Sequence, residues 1–252
     1  MIHKITGDIV PVFQLECWPE EIEDQWRCRE KVWPDDVTKC LIVSKGCFIV
    51  ARDSRDQKRQ TRWQVSFVNA EIELFKLWSE EQKIVYFLAK SVYYKNVIPL
   101  NPTNDSKEVK SIESQFSSYL LKTAMLFLCE EHPPEDHFWS NINEAASHLL
   151  QTLVICFEQE SLQNYFFTNV NLLENISSVR LQEAISVLQT VMYNPIDALA
   201  VVMKELVKRI ETLNKYAQGI AFVSNQLFKN HSYDRQTLIN AGKFLVYFLS
   251  PA

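Results

Sequence analysis

The alternation of apolar and polar positions changes character about a quarter of the way along the chain. Up to residue 69 the apolar residues fall in short β-branched runs. Residues 5–15 (ITGDIVPVFQL) read as a strand, residues 41–43 and 47–51 as two arms around a Ser44-Lys45-Gly46 turn, and residues 62–67 (RWQVSF) as an alternating strand. Trp18-Pro19 and Trp33-Pro34 bracket a charged stretch, residues 20–31, of a length suited to one helix. Residues 53–61 (DSRDQKRQT) read as a solvated hairpin tip.

From Ala70 the period becomes helical. Ile72, Phe75, Trp78, Ile84, Phe87, Leu88 and Val92 predict one or two helices up to Lys95, and residues 99–110 form an exposed linker. Ile112, Phe116, Tyr119, Leu120, Thr123 and Phe127 repeat every three or four residues until Pro133-Pro134 stops them. Another helix is expected over residues 141–158, then a break over residues 169–175. Beyond Asn194-Pro195, the positions from Leu199 through Met203, Leu206, Ile210, Leu213 and Ala217 to Ile220 form a heptad-like seam. Docking within the chain is the simpler role for that seam, and helix-mediated self-association is the other. The expected fold is α+β: a short mixed sheet that is part of one lobe, then a dominant helical bundle. The expected division is residues 1–69, 70–175 and a helical extension over 176–252.

Composition narrows the function classes. With 26 Lys and Arg against 31 Asp and Glu, the net charge of −5 gives no global field for nucleic acid or anionic lipid. The four glycines leave neither GxGxxG nor GxxxxGK[ST]. No apolar run approaches the roughly 18 residues of a spanning helix. The six cysteines contain no CxxC pair, and with no signal-like leader a reducing cytosol fits best. Cys129, His132, Glu135, His137 and His148 have the residue types of a metal site, but the spacing crosses a double proline, so a capped loop is expected instead. Arg55, Lys58 and Arg59, in the polar loop, are candidates for RNA phosphate contacts, with a solvated hairpin as the plainer reading.

Six segments in order resemble the male-abnormal twenty-one (Mab) family, whose relatives include cyclic GMP-AMP synthase and the cGAS-like receptors. They are residues 7–12 (GDIVPV), the two Trp-Pro pairs, residues 45–50 (KGCFIV), residues 63–67 (WQVSF) with Ala70-Glu71, residues 118–123 (SYLLKT), and Tyr165-Phe166 with Asn171-Leu172. The resemblance implies two lobes: a nucleotidyltransferase lobe with three metal-binding carboxylates, and a helical lobe that closes over the nucleotide. Asp8 takes the position of the third carboxylate. In such enzymes two divalent ions activate the attacking hydroxyl and neutralise the triphosphate, which calls for several carboxylates. The Gly-Ser turn and the first two carboxylates have no counterpart before Asp8, so a truncated gene product or isoform is expected.

In the helical lobe the resemblance assigns nucleotide contacts to Ser118 and Tyr119, with the tyrosine ring stacking on a base, to Lys90 as a phosphate partner, and to Glu71 as an acidic residue near the pocket. A core aromatic on the stripe with Ile112 and Phe116 is the plainer role for Tyr119. Two departures weaken a synthase reading. Gln64 replaces a base-reading arginine and cannot supply its charged fork, while Arg62 falls on the opposite strand face. The His-Cys zinc insertion of the vertebrate enzyme is absent, which argues against zinc-dependent double-stranded DNA sensing. Two functions follow as expectations. One is the carboxy-terminal part of a cGAS-like nucleotidyltransferase, which in complete form uses Mg²⁺ and ATP or GTP, with no cofactor secured by these 252 residues and no transfer by them alone. The other is a non-catalytic Mab-domain binding or scaffold protein in signalling or development.

Overall fold

The structure, a computed structural model, describes residues 12–52, 62–101 and 116–193. The chain divides into two compact units, residues 1–192 and 193–252. The expected strand over residues 5–11, the linker beyond residue 101 and the seam from Leu199 to Ile220 lie outside the described residues.

Among the described residues the first unit runs β1 (Val12–Leu15), α1 (Glu20–Arg27), α2 (Asp36–Val43), β2 (Cys47–Arg52), β3 (Arg62–Ser66), α3 (Val68–Leu77), α4 (Glu80–Asn96), α5 (Ser118–Glu131), α6 (Ile142–Glu158) and α7 (Ser178–Tyr193). The three strands pair in sequence order, and both pairings are antiparallel, where a mixed sheet was expected. Phe13 lies opposite Ile49, and Ile49 opposite Val65. These described elements form an α+β fold in which helices dominate.

One local expectation is corrected. Residues 41–43 are not a strand but the last turn of α2. The Asp35 carboxylate accepts a 2.8 Å hydrogen bond from the Thr38 amide, an N-cap that starts the helix. Lys39, Ile42 and Val43, spaced by three and four, then face inward, which outweighs the β preference of the branched residues. The Ser44-Lys45-Gly46 turn therefore joins a helix to β2. Gly46 has φ +68°, and a Cβ there would overlap the Leu15 carbonyl oxygen. Its own carbonyl accepts a 3.1 Å hydrogen bond from the Trp18 indole.

Trp18 also centres an aromatic cluster. Its ring lies 5.2 Å from Trp26, 4.6 Å from Phe67 and 5.5 Å from Phe166, and Phe67 lies 4.9 Å from Phe166. Such pairs add about 0.5–1.5 kcal/mol each beyond area burial. Beside them, one arm of the Arg29 guanidinium donates 2.8 Å to Glu130 and the other donates to the Tyr165 carbonyl, while its plane sits 4.9 Å from the Tyr165 ring. The side chain of Glu130 is only 3% exposed, so this pair is buried. The Lys39 ammonium, also buried, donates to the Arg29 carbonyl at 3.0 Å.

The helical half packs α4 against α5 and α6, with Leu121, Met125, Leu149 and Leu153 fully buried between them. The helix after the double proline spans Ile142–Glu158, within one residue of expectation, and is capped by the Asn141 side chain. The helical stretch after Ala70 breaks at Trp78, because Ser79 and Gln82 form a capping box that opens α4. Helix α7 buries Leu181, Ala184, Ile185 and Leu188, and Arg180 ties it to the Leu100 carbonyl.

Replacing Arg29 with alanine strands the Glu130 carboxylate in the interior. The expected loss of unfolding free energy in urea titration is about 3–5 kcal/mol, and a loss below a surface-pair value would remove Arg29 from that role. Gly46→Ala should also destabilise, by more than the ~1–3 kcal/mol that strain at positive φ costs, because the Cβ also meets the Leu15 carbonyl oxygen; the measurement is a lowered urea midpoint.

Candidate functional site

Of the residues assigned to nucleotide contacts, Tyr119 on α5 and Glu71 on α3 both meet Lys122, and Lys90 on α4 feels the charge of that lysine. Ser118 is the first residue of α5, half-buried, at a helix start without a side-chain cap, where the Leu120 amide donates to the Ser117 carbonyl at 3.2 Å. One position on, Tyr119 is half-buried, and its hydroxyl accepts a 3.3 Å hydrogen bond from the Asn164 side chain. Lys122, three residues further along the same face, places its ammonium 5.9 Å from the Tyr119 ring centroid and 2.7 Å from the Glu71 carboxylate. Glu71 lies in the first turn of α3 with a side chain 13% exposed. Lys90, on α4, sits over the rings of Tyr86 (5.8 Å) and Tyr94 (5.6 Å).

The electrostatics tie these groups together. Burial, and next the Lys122 ammonium, push Lys90 below the usual lysine value. Two cations are thus held near each other, with the Glu71 carboxylate bonded to one of them. An anion arriving between the ammonium groups would relieve their repulsion. The Tyr86 hydroxyl is buried without a hydrogen-bond partner among the described residues, which leaves a polar atom unused at the edge of the same cluster. Burial, followed by the Glu71 charge, raises Tyr119 above the ordinary phenol value, so its ring stays neutral at physiological pH. A neutral aromatic face beside the Lys122 ammonium has the chemistry of a planar, anion-bearing ligand's partner. Tyr119 is neither a fully enclosed core residue nor a freely exposed one.

Asp8, the metal carboxylate assigned by resemblance, and Arg55, Lys58 and Arg59 lie outside the described residues. Among the described residues no three His, Cys, Asp or Glu side chains are gathered to hold a metal ion. The histidine loop is capped: Asp136 accepts from the Phe138 amide at 2.9 Å and meets His132 Nδ1 at 2.9 Å, while the His132 ring stacks 4.0 Å from Phe138. The Phe138 amide, and then His132, hold Asp136 below the usual carboxylate range. Cys129 is buried and receives a 3.6 Å contact from the Gln82 amide.

Three groups of the site were not assigned from sequence. Lys122 sits inside the SYLLKT segment, and its i+3 spacing from Tyr119 was the available signal. Tyr86 follows from Lys90 by i+4 spacing in the same way. Asn164 gives no local signal, because its contact spans 45 residues of sequence.

The comparison with known families agrees with this layout. Residues 3–77 match the Mab-21 protein nucleotidyltransferase domain, and residues 93–190 match the Mab-21 protein HhH/H2TH-like domain. The first match ends with α3, and the second runs from the end of α4 into α7. Together they cover more than half of the chain, which thus pairs a nucleotidyltransferase-like domain with a helical one. The chain belongs to the Mab-21 family. No helix among the described residues is long and apolar enough to cross a membrane.

Tyr86, Tyr93, Tyr119 and Tyr165 all have phenols raised by burial. Because the folded values lie above the unfolded one, their contribution is complete below the unfolded value, about pH 10, and is lost as pH rises toward the folded values. Urea titrations should therefore show stability falling steeply above about pH 10, with a shallower fall in Tyr119→Phe. An equal slope in that variant would remove Tyr119 from the titrating set.

Proposed function

We propose that this Mab-21 protein binds a nucleoside triphosphate at the junction of α3, α4 and α5. Tyr119 would stack on the base, and Lys122 and Lys90 would neutralise phosphate. Ser118 would add donors at the start of α5. The observation that carries this reading is the Lys122 ammonium 5.9 Å from the ring centroid of the half-buried Tyr119, with Lys90 lowered partly by the charge of that same lysine. Of the three carboxylates the family resemblance calls for, only Asp8 has a counterpart in the sequence, so the proposal for these 252 residues is binding without nucleotidyl transfer. Magnesium, ATP or GTP turnover, cGAS-like sensing of RNA, innate immune signalling and a cytosolic setting belong to the same proposal at the level of a complete family enzyme.

A second reading, a protein-binding scaffold, draws on the sheet. Phe13 and Trp63 are 60% and 51% exposed with ring centroids 5.4 Å apart, an apolar face suited to another protein.

Isothermal titration separates the two readings. Binding of ATP or GTP that weakens about tenfold or more in Tyr119→Ala, and also in Lys122→Ala, supports the nucleotide site. Circular dichroism should show that both variants retain the fold. Absence of heat with either nucleotide would favour the scaffold, and measurable cyclic dinucleotide from the purified chain would overturn the claim of binding without transfer.

A further inference from the structure

Away from that site, α1 and α2 border a shallow cleft of about 410 Å³ lined by Asp24, Arg27, Cys28, Asp36, Lys39 and Cys40. Two thiols open onto it. Cys28 is the C-cap of α1, Cys40 lies in the second turn of α2, and both are exposed with neither in a disulfide. The Arg27 guanidinium divides its two arms. Nη1 donates 2.8 Å to Glu23, and Nη2 lies 3.6 Å from the Cys40 sulfur. The guanidinium thus places a positive charge against the Cys40 sulfur. The acids of the cleft act against this, but Asp36 is engaged by the Lys39 ammonium at 3.3 Å. Cys17 is exposed as well, but it is not among the residues lining this cleft, whereas Cys47 and Cys129 are buried.

We propose that Cys40 and Cys28 form a peroxide-responsive dithiol, with Cys40 as the attacking thiol and Cys28 as the resolving one. The Cys40 thiolate attacks hydrogen peroxide, the O–O bond breaks, and a sulfenic acid forms with release of hydroxide. The Cys28 sulfur then attacks the sulfenic sulfur, the S–O bond breaks, and a disulfide forms. The Cys28 proton leaves with the sulfenic hydroxyl as one water, and the hydroxide from the first step takes up the proton that Cys40 gave up on ionising to form the other, so two thiols are oxidised and one peroxide is reduced. The bond would tie the end of α1 to α2 next to Arg29, whose guanidinium reaches Glu130.

Mass spectrometry of the intact 252-residue chain tests this in two parts. Under limiting iodoacetamide Cys40 should be alkylated about tenfold faster than Cys17, and Arg27→Gln should remove most of the difference. Under hydrogen peroxide, the mass should fall by two hydrogens, and digestion should yield a peptide pair joined through Cys28 and Cys40. Cys28→Ser should leave Cys40 as a sulfenic acid trapped by dimedone. Equal alkylation of Cys17 and Cys40, a rate indifferent to Arg27, or peroxide treatment that leaves Cys28 and Cys40 unlinked would each overturn the proposal. Circular dichroism on both surface variants should show that the fold is kept.

Discussion

A guanidinium removed from most of its water is the fixed point of the first unit. Arg29 can be held there because its planar fork meets a carboxylate with one arm and a carbonyl with the other, while its face rests on a tyrosine ring. Its partners lie 101 and 136 positions away in sequence. The pair therefore closes only when the segment around α1 and the segment from α5 to residue 165 are both in place. A buried charge without its partner is costly, so the alternatives in which these segments fail to meet are penalised strongly. The neighbouring aromatic cluster supplies attraction with little directional demand, whereas the ion pair supplies register.

The candidate site lies across the same seam between the two family domains. Glu71 belongs to the segment matching the nucleotidyltransferase domain, and Lys122, Tyr119 and Asn164 belong to the segment matching the helical domain. The ion pair between Lys122 and Glu71 is thus a second link between the halves, but a partly exposed one, with Lys122 35% exposed. It is weaker than the Arg29 link on that account. An incoming phosphate would compete with Glu71 for the same ammonium. The stable link holds the halves together, and the weaker one is open to exchange.

Much of this was legible in the sequence because it depends on local pattern. The helix over Ile142–Glu158 carries a regular apolar stripe and a polar cap, so its limits were clear. The two helices after Ala70 were visible in their period, and the capping box at Ser79 explains why they are two. Residues 41–43 were misread because branched residues in a short segment satisfy a strand pattern as well as a helical one. The deciding group, Asp35, lay upstream of the ambiguous residues. For the site, Glu71, Lys90, Ser118 and Tyr119 are picked out by resemblance; Glu71 and Tyr119 share the neighbour Lys122, which also acts on Lys90, and their function is a separate question that these contacts do not answer. Asn164 was out of reach, since a contact fixed by tertiary packing leaves no periodic trace.

Gln82 does two jobs at once. Its side-chain oxygen accepts from the Ser79 amide at the start of α4, and its amide nitrogen reaches the Cys129 sulfur and the His132 carbonyl at the end of α5. The two helices run in opposite directions from that clamp, so counting forward along one is matched by counting backward along the other. Eight residues on from Gln82 is Lys90, and seven residues back from Cys129 is Lys122, advances of about 12 and 10.5 Å at 1.5 Å per residue. An uncharged amide about two turns from each lysine thereby fixes a common origin for the two helices, as a vernier is set by its zero mark.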